Sequence, residues 1–170
     1  LTGAQERAIT EIAKDQTSES RMLRMLQGDV GSGKTLVALH AMLHAVESGA
    51  QASLLAPTEV LARQHHATIN AFLAPLGMEA HLLLGQGRSG SAERRAIMDG
   101  LANGDVQLVV GTHALLSESV SFANLGLAVV DEQHRFGVDQ RAALQNKGNS
   151  RAIPDLLVMT ATPIPRTAAM

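Results

Sequence analysis

The stretch "LRMLQGDVGSGKTLVALHAML", residues 23–43, decides the fold of this chain. It begins as a short apolar segment, turns through three glycines and continues as an amphipathic run. We therefore predict a strand over 22–27, a glycine-rich loop, and a helix over 34–48. The loop, "GDVGSGKT" from Gly28 to Thr35, fits the pattern G-x-x-x-x-G-K-[ST] without a mismatch.

This loop has the residue types that phosphate binding requires. Backbone N–H groups approach phosphate oxygens closely only where side chains are absent, which explains the glycines. The helix that follows directs its positive end at the bound anion. Lys34 is predicted to reach the β- and γ-phosphates, and Thr35 to offer its hydroxyl to Mg²⁺. The predicted nucleotide-binding residues of the loop are Gly28, Asp29, Val30, Gly31, Ser32, Gly33, Lys34 and Thr35. A glycine-rich turn that merely contains a lysine is the alternative, and the flanking strand and helix disfavour it.

The rest of the chain alternates short apolar runs with longer amphipathic ones. Several of the apolar runs have no polar face, which is typical of parallel strands covered on both sides. Such alternation predicts an α/β fold, a three-layer sandwich around a mostly parallel sheet of the P-loop NTPase type. Further strands are predicted over 51–56, 79–84, 106–111, 127–131 and 156–160. Further helices are predicted over 4–14, 59–73, 92–102 and 138–146, with a turn near 113–117 and a final helix starting near 164.

An acidic pair ends one of the most apolar strands. The segment "LAVVDE" places Asp131 at the strand end and Glu132 directly after it. Ligands bind beyond the carboxyl ends of parallel strands, so this pair is expected close to the phosphate loop. Asp131 is predicted to bind Mg²⁺, directly or through water. Glu132 is predicted to activate or orient the attacking water, which makes Lys34, Asp131 and Glu132 the candidate catalytic residues. A solvated charged turn is the alternative for this segment alone.

Composition limits the remaining possibilities. The chain has 170 residues, 45 % hydrophobic and 18 % charged, which indicates one globular domain rather than a disordered segment. It contains no cysteine, so disulfides and thiolate metal sites are excluded. Its net charge is −2 and only 2 % of its residues are aromatic. A broadly basic nucleic-acid surface and base stacking on aromatic platforms are therefore not expected.

Other motifs support weaker hypotheses. "GQGRSG", residues 85–90, matches a dinucleotide-binding pattern, but the acidic residue that should end the next strand precedes that strand instead. A surface loop is the preferred interpretation. His40 and His44 lie one helical turn apart, yet no acidic residue follows at metalloprotease spacing, so ordinary helix histidines are preferred. His65 and His66 are interpreted in the same way, on different faces of one helix.

Four segments, in order and spacing, then add specificity. "LAPTE" (55–59), "VVGTHALL" (109–116), "VVDEQHRFGV" (129–138) and "VMTATPIPRT" (158–167) resemble motifs Ia, Ib, II and III of superfamily 2 helicases. Together with the phosphate loop they are most similar to the RecG type of bacterial ATP-dependent DNA helicase. The resemblance runs from "LTGAQ" at the start of the chain to its end.

Near relatives differ at identifiable positions. The transcription-repair coupling factor usually has Phe at the position of Ser32 and Glu at that of Gln133. One departure from the RecG pattern is Ala168, where the family usually has Leu after "IPRT". This change affects packing and leaves the chemistry intact.

The resemblance implies further roles at the matching positions. Gln5 would recognise adenine, and Gln133 and His134 would sense the γ-phosphate. The motif III strand would lie between the phosphate-loop strand and the Asp131 strand, with Thr160, Ala161 and Thr162 coupling nucleotide to DNA. Contacts with the DNA backbone are expected from Thr58, Gly111, Thr112 and His113. Thr58 also precedes a predicted helix, so capping that helix, contacting DNA, or both remain open for it.

The resemblance also implies a molecular setting. The chain would be the first RecA-like motor domain, with ATP and Mg²⁺ as cofactors and branched DNA (forks and Holliday junctions) as substrate in repair and recombination. A DNA-wedge domain and a second RecA-like domain would lie elsewhere in the same full-length protein, a monomer of the bacterial cytoplasm, at the nucleoid and not at a membrane. The motor of a transcription-repair coupling factor and a non-catalytic nucleotide sensor are the alternatives.

Overall fold

The computed structural model describes residues 3–17, 23–27, 33–85, 91–117, 119–131 and 154–160. Within them the chain forms four α-helices, six strands and two 3-10 turns. The helices are α1 (Gly3–Thr17), α2 (Lys34–Glu47), α3 (Glu59–Leu73) and α4 (Ser91–Asn103), and the 3-10 turns are η1 (Ala74–Leu76) and η2 (His113–Leu116). The strands are β1 (Leu23–Gln27), β2 (Gln51–Leu55), β3 (His81–Leu83), β4 (Leu108–Gly111), β5 (Leu125–Asp131) and β6 (Asp155–Thr160).

The six strands form one sheet in the order β1-β6-β5-β2-β4-β3, and every pair is parallel. The predicted α/β architecture and all six predicted strands are confirmed. The prediction that the motif III strand lies between the phosphate-loop strand and the Asp131 strand is also confirmed, because β6 pairs with both β1 and β5. The helices predicted over 138–146 and near 164 lie outside the described residues.

Two apolar layers cover the sheet. On one face, α2 and α3 pack against alternate strand residues such as Leu54, Val129 and Leu157, all 0 % exposed, and α1 packs against α2. On the other face, α4 and η2 pack against the intervening residues, such as Val109 and Val130. This is the predicted three-layer sandwich, and it explains why the strands are apolar on both faces.

Strand boundaries differ from the prediction by a few residues. The predicted strand 106–111 begins only at Leu108, because the Val106 N–H donates to the carbonyl of Gly100 at the end of α4. The predicted strand 127–131 begins earlier, at Leu125. All strands run the same way, so their carboxyl ends share one side of the sheet, here called the carboxyl edge.

Candidate nucleotide site

The centre of the candidate site is a chain of three side chains from three elements. Thr35 is the second residue of α2, His65 lies on α3, and Asp131 is the last residue of β5. His65 Nε2 lies 2.8 Å from Asp131 Oδ2, and His65 Nδ1 lies 3.4 Å from Thr35 Oγ1. A single imidazole ring therefore separates the two residues predicted to bind magnesium.

The hydrogen positions in this chain follow from its chemistry. An ionised carboxylate only accepts hydrogen bonds, so Nε2 of His65 donates to Asp131. In the neutral ring Nδ1 is then an acceptor, and the Thr35 hydroxyl donates to it. The side chain of Asp131 is 7 % exposed and that of His65 is 14 % exposed, so these bonds are largely shielded from water.

The donor set fits Mg²⁺. A hydroxyl and a carboxylate are the hard oxygen ligands that this ion prefers, and it usually keeps several waters and substrate phosphates as its other ligands. Within the described residues, no group of three or more His, Cys, Asp or Glu side chains could hold a metal ion. Thr35 and Asp131 would thus supply a partial shell that a bound nucleotide completes.

The start of α2 has the geometry of an anion site. Gly33 caps the helix with φ 90°, a left-handed conformation that favours glycine, and its carbonyl accepts from the N–H groups of Leu36 and Val37. Lys34 is the first helical residue and is half-buried. Gln5 on α1 lies directly against Gly33. Its amide nitrogen is so close that a Cβ atom on Gly33 would collide with it. The residue predicted to recognise adenine is thus next to the end of the phosphate loop.

Two predicted DNA-contacting residues are exposed at the carboxyl edge. Thr58 follows β2 and His113 follows β4, and both side chains face solvent. The hydroxyl of Thr58 accepts from Leu61 N at 3.2 Å, so Thr58 is the N-cap of α3. Its capping role is established by this bond, and its DNA contact stays a prediction.

The other two predicted DNA-contacting residues are buried. Gly111 ends β4, and a Cβ atom there would collide with the Leu83 carbonyl oxygen. Thr112 is 3 % exposed and caps η2, with its hydroxyl 3.5 Å from Ala114 N. In the structure, Gly111 and Thr112 therefore shape the start of η2, the turn that begins at His113.

Several predicted residues lie outside the described part of the chain. They are Gly28, Asp29, Val30, Gly31, Ser32, Glu132, Gln133, His134, Ala161 and Thr162, together with most of the "GQGRSG" segment. The backbone of Thr160 is described, and it pairs in register with Gln27, the residue that precedes the phosphate loop. The strand of Thr160 therefore touches both the phosphate-loop strand and the Asp131 strand.

The interpretation of His65 as an ordinary helix histidine, and not a metal ligand, misses the two hydrogen bonds that its ring makes. Adjacent helix residues do point in different directions, as expected, since His66 Nε2 lies 2.9 Å from the Ala80 carbonyl. His65, however, points to the metal-ligand candidates. A signal was present in the sequence, because His65 shares a helical face with the buried Ala62, Ile69 and Leu73. A half-buried histidine on a core-facing stripe requires a partner.

Comparison with known proteins identifies the family. A model of the DEAD/DEAH box helicases matches residues 2–170. The chain belongs to the DEAD/DEAH box helicase family. Membership in this helicase family implies that the chain uses a nucleotide, in agreement with the geometry at the start of α2.

Relatives within the family are also close in sequence. Over 99 % of its length the chain is 56 % identical to the ATP-dependent DNA helicase RecG of Acidithiobacillus ferridurans. It is 52 % identical, again over 99 % of its length, to RecG of Escherichia coli strain K12. The chain spans 24 % of the length of each of these relatives. A solved structure of RecG bound to a three-way DNA junction superposes with a TM-score of 0.84 and 47 % identity, covering 99 % of this chain and 22 % of that one.

Proposed function

We propose that this chain is the first RecA-like motor domain of a RecG-type DNA helicase, which couples ATP hydrolysis to the remodelling of branched DNA. The observation that carries the proposal is the meeting of Thr35 and Asp131 on one imidazole ring at the carboxyl edge. This geometry brings together the phosphate-loop helix and the acidic strand end, the two parts that phosphoryl transfer requires. The similarity to RecG along the whole chain directs the choice of substrate.

Each residue of the site would have a separate role in ATP hydrolysis. Lys34 would neutralise the β- and γ-phosphates, and the backbone N–H groups of residues 28–33 would surround them. Thr35 and Asp131 would hold the magnesium ion, which supplies charge neutralisation at the phosphate oxygens. Glu132 would accept a proton from the attacking water or orient it.

DNA would be engaged along the same edge of the sheet. Thr58 and His113 are exposed there, after neighbouring strands, and the N-terminus of α3 carries the positive end of a helix dipole. A helix N-terminus and a hydroxyl contact phosphate without reading sequence, which suits an enzyme that recognises DNA shape. The net charge of −2 agrees with a small backbone contact rather than a large basic surface.

Other domains of the proposed helicase would lie outside these 170 residues. A second RecA-like domain with an arginine finger and a DNA-wedge domain would belong to the same full-length protein, which would act as a monomer in the bacterial cytoplasm, at the nucleoid. Among the described helices, none combines the length and the apolar character of a membrane span. The isolated 170 residues are expected to bind nucleotide weakly and to hydrolyse it slowly or not at all.

The decisive experiment uses the full-length protein and a Glu132→Gln variant. Wild type is expected to hydrolyse ATP faster with a three-way DNA junction than with linear duplex of the same length. The variant is expected to bind ATP with unchanged affinity and to lose hydrolysis by about a hundredfold or more. Unimpaired turnover in the variant would show that Glu132 is not the base.

The rivals predict different outcomes in the same assay. A non-catalytic nucleotide sensor would bind ATP but show no hydrolysis with either DNA. A transcription-repair coupling motor would be stimulated by linear duplex as well as by the junction. The RecG relatives, at 52–56 % identity over the whole chain, favour the junction-stimulated outcome.

A further inference from the structure

His65 belongs to none of the motifs recognised in the sequence, but its position gives it a role in the nucleotide site. It lies outside the phosphate loop and outside the acidic strand end, yet its ring bonds to one residue of each. The inference rests on the proposed function, because it concerns how the same nucleotide site is organised. We propose that His65 is a positioning residue that orients both magnesium ligands and ties them to helix α3.

The orientation of Thr35 follows from its hydrogen bond. When the Thr35 hydroxyl donates its proton to Nδ1 of His65, its lone pairs point away from the ring and stay available for a metal ion. Without this acceptor the hydroxyl would rotate freely, and its proton could occupy the direction that the metal needs. The 3.4 Å separation is long for a strong bond, so it orients the hydroxyl and leaves it free to shift slightly.

The orientation of Asp131 follows in the same way. Nε2 donates to Oδ2 at 2.8 Å, a length typical of a charge-assisted hydrogen bond. This bond fixes the rotation of the carboxylate, so the other oxygen, Oδ1, is held in one direction for a metal ion or its water. Outer hydrogen bonds of this kind commonly change metal affinity by about tenfold to a hundredfold.

The position of His65 on α3 adds a mechanical link. Thr58 caps this helix at its exposed end, and His65 lies about two turns further, on a similar side, about 10 Å along the axis. Ala62, Ile69 and Leu73 of α3 are buried in the core, so they hold the helix as one rigid element. A displacement at the predicted DNA-contacting end therefore reaches both metal ligands through one ring.

In the test, a fluorescent ATP analogue is titrated into the full-length protein. One titration is done in the presence of magnesium and a second in the presence of EDTA. The readout is the ratio of the two affinities, which reports how well the site organises the metal and does not depend on hydrolysis. We expect His65→Ala to lower this ratio by about tenfold or more, while the affinity in EDTA stays within about twofold of wild type.

Two conservative variants separate the two bonds. A glutamine amide reaches the position of Nε2, so His65→Gln keeps the bond to Asp131. An asparagine side chain reaches the position of Nδ1, so His65→Asn keeps only the contact with Thr35. Both are expected to give ratios between those of wild type and His65→Ala. Since Nε2 makes the shorter bond, His65→Gln should recover more of the ratio.

His66→Gln is the matched control, because it changes the neighbouring histidine on the other side of the same helix. It is expected to keep the wild-type ratio. An unchanged ratio in His65→Ala, or an equal loss in His66→Gln, would overturn the inference. Junction-stimulated ATP hydrolysis by wild type in parallel tests the proposed function separately, so either idea can fail without the other.

Discussion

The side-chain amide of Gln5 lies against Gly33, in the space that a Cβ atom on Gly33 would fill. This contact joins α1 to the residue that caps α2. Two separate reasons therefore favour glycine at this position: the φ of 90° and the nearby amide. They differ in cost, because a backbone conformation cannot relax easily whereas the end of a glutamine side chain can move.

The first prediction compares Gly33→Ala with Gly49→Ala. Gly49 has the same φ of 90°, but a Cβ atom there would meet nothing within 4 Å. Each substitution is expected to lower the free energy of unfolding by about 1–2 kcal/mol, the cost of a left-handed residue with a side chain. Urea denaturation followed by circular dichroism measures both values. If Gly33→Ala costs much more than Gly49→Ala, the Gln5 amide is held rigidly.

The second prediction separates the two roles of Thr58. Thr58→Ala removes the hydroxyl that accepts from Leu61 N and should cost about 1 kcal/mol of stability. Thr58→Asp keeps an N-cap of equal or better quality, so its stability should match wild type. It also places a negative charge where DNA phosphate is expected.

DNA affinity then distinguishes capping from contact. If Thr58 contacts DNA, Thr58→Asp should weaken junction binding on the order of tenfold through charge repulsion, while Thr58→Ser binds normally. Fluorescence anisotropy with a labelled junction at fixed salt concentration gives both affinities. Normal binding by Thr58→Asp would leave Thr58 as a cap alone.

The third prediction concerns Gln51, a polar residue buried at the amino end of β2. Its Nε2 donates to the carbonyls of Leu101 and Val106 at 2.9 and 2.8 Å, and its Oε1 accepts from Asn124 N at 2.7 Å. One side chain thus joins α4 and the two loops that lead into β4 and β5. Gln51→Ala should lower the free energy of unfolding by about 2–4 kcal/mol, because buried backbone groups lose their partners.

Ser53 supplies the control for Gln51. It lies on the same strand and is 0 % exposed, and its hydroxyl has no hydrogen-bond partner among the residues that the structure describes. Ser53→Ala should therefore leave stability within about 1 kcal/mol of wild type or raise it slightly. Thermal unfolding monitored by calorimetry measures both variants. Equal costs would contradict the idea that the hydrogen bonds of Gln51 matter more than the volume of a buried side chain.

Local signals made much of this fold predictable. The sequence predicts the helix over 59–73 with the bounds that the structure gives, because Thr58 is a strong N-cap and the apolar spacing is regular. The six strands were predictable because strands covered on both faces are apolar throughout. The position of β6 between β1 and β5 came from the family resemblance and not from periodicity.

The bridge between Thr35 and Asp131 was not predictable in this way. Residues 35, 65 and 131 lie on three elements, and their meeting depends on sheet order and helix rotation rather than on local spacing. Motif patterns cover the first and third of these residues but treat the second as part of a helix surface. The phosphate loop, by contrast, is continuous in sequence, so its pattern alone reveals it.

The order of the sheet has a consequence for biosynthesis. Among the six described strands the phosphate-loop strand β1 comes first in the sequence, and its only partner in the described sheet is β6, which comes last of the six. On the ribosome, β2 to β5 can pair with one another while β1 still has no neighbour. The strand β1 therefore gains its partner only after the other five strands have been translated, and a nascent chain stopped before Asp155 would carry the phosphate-loop sequence without the strand that pairs with β1.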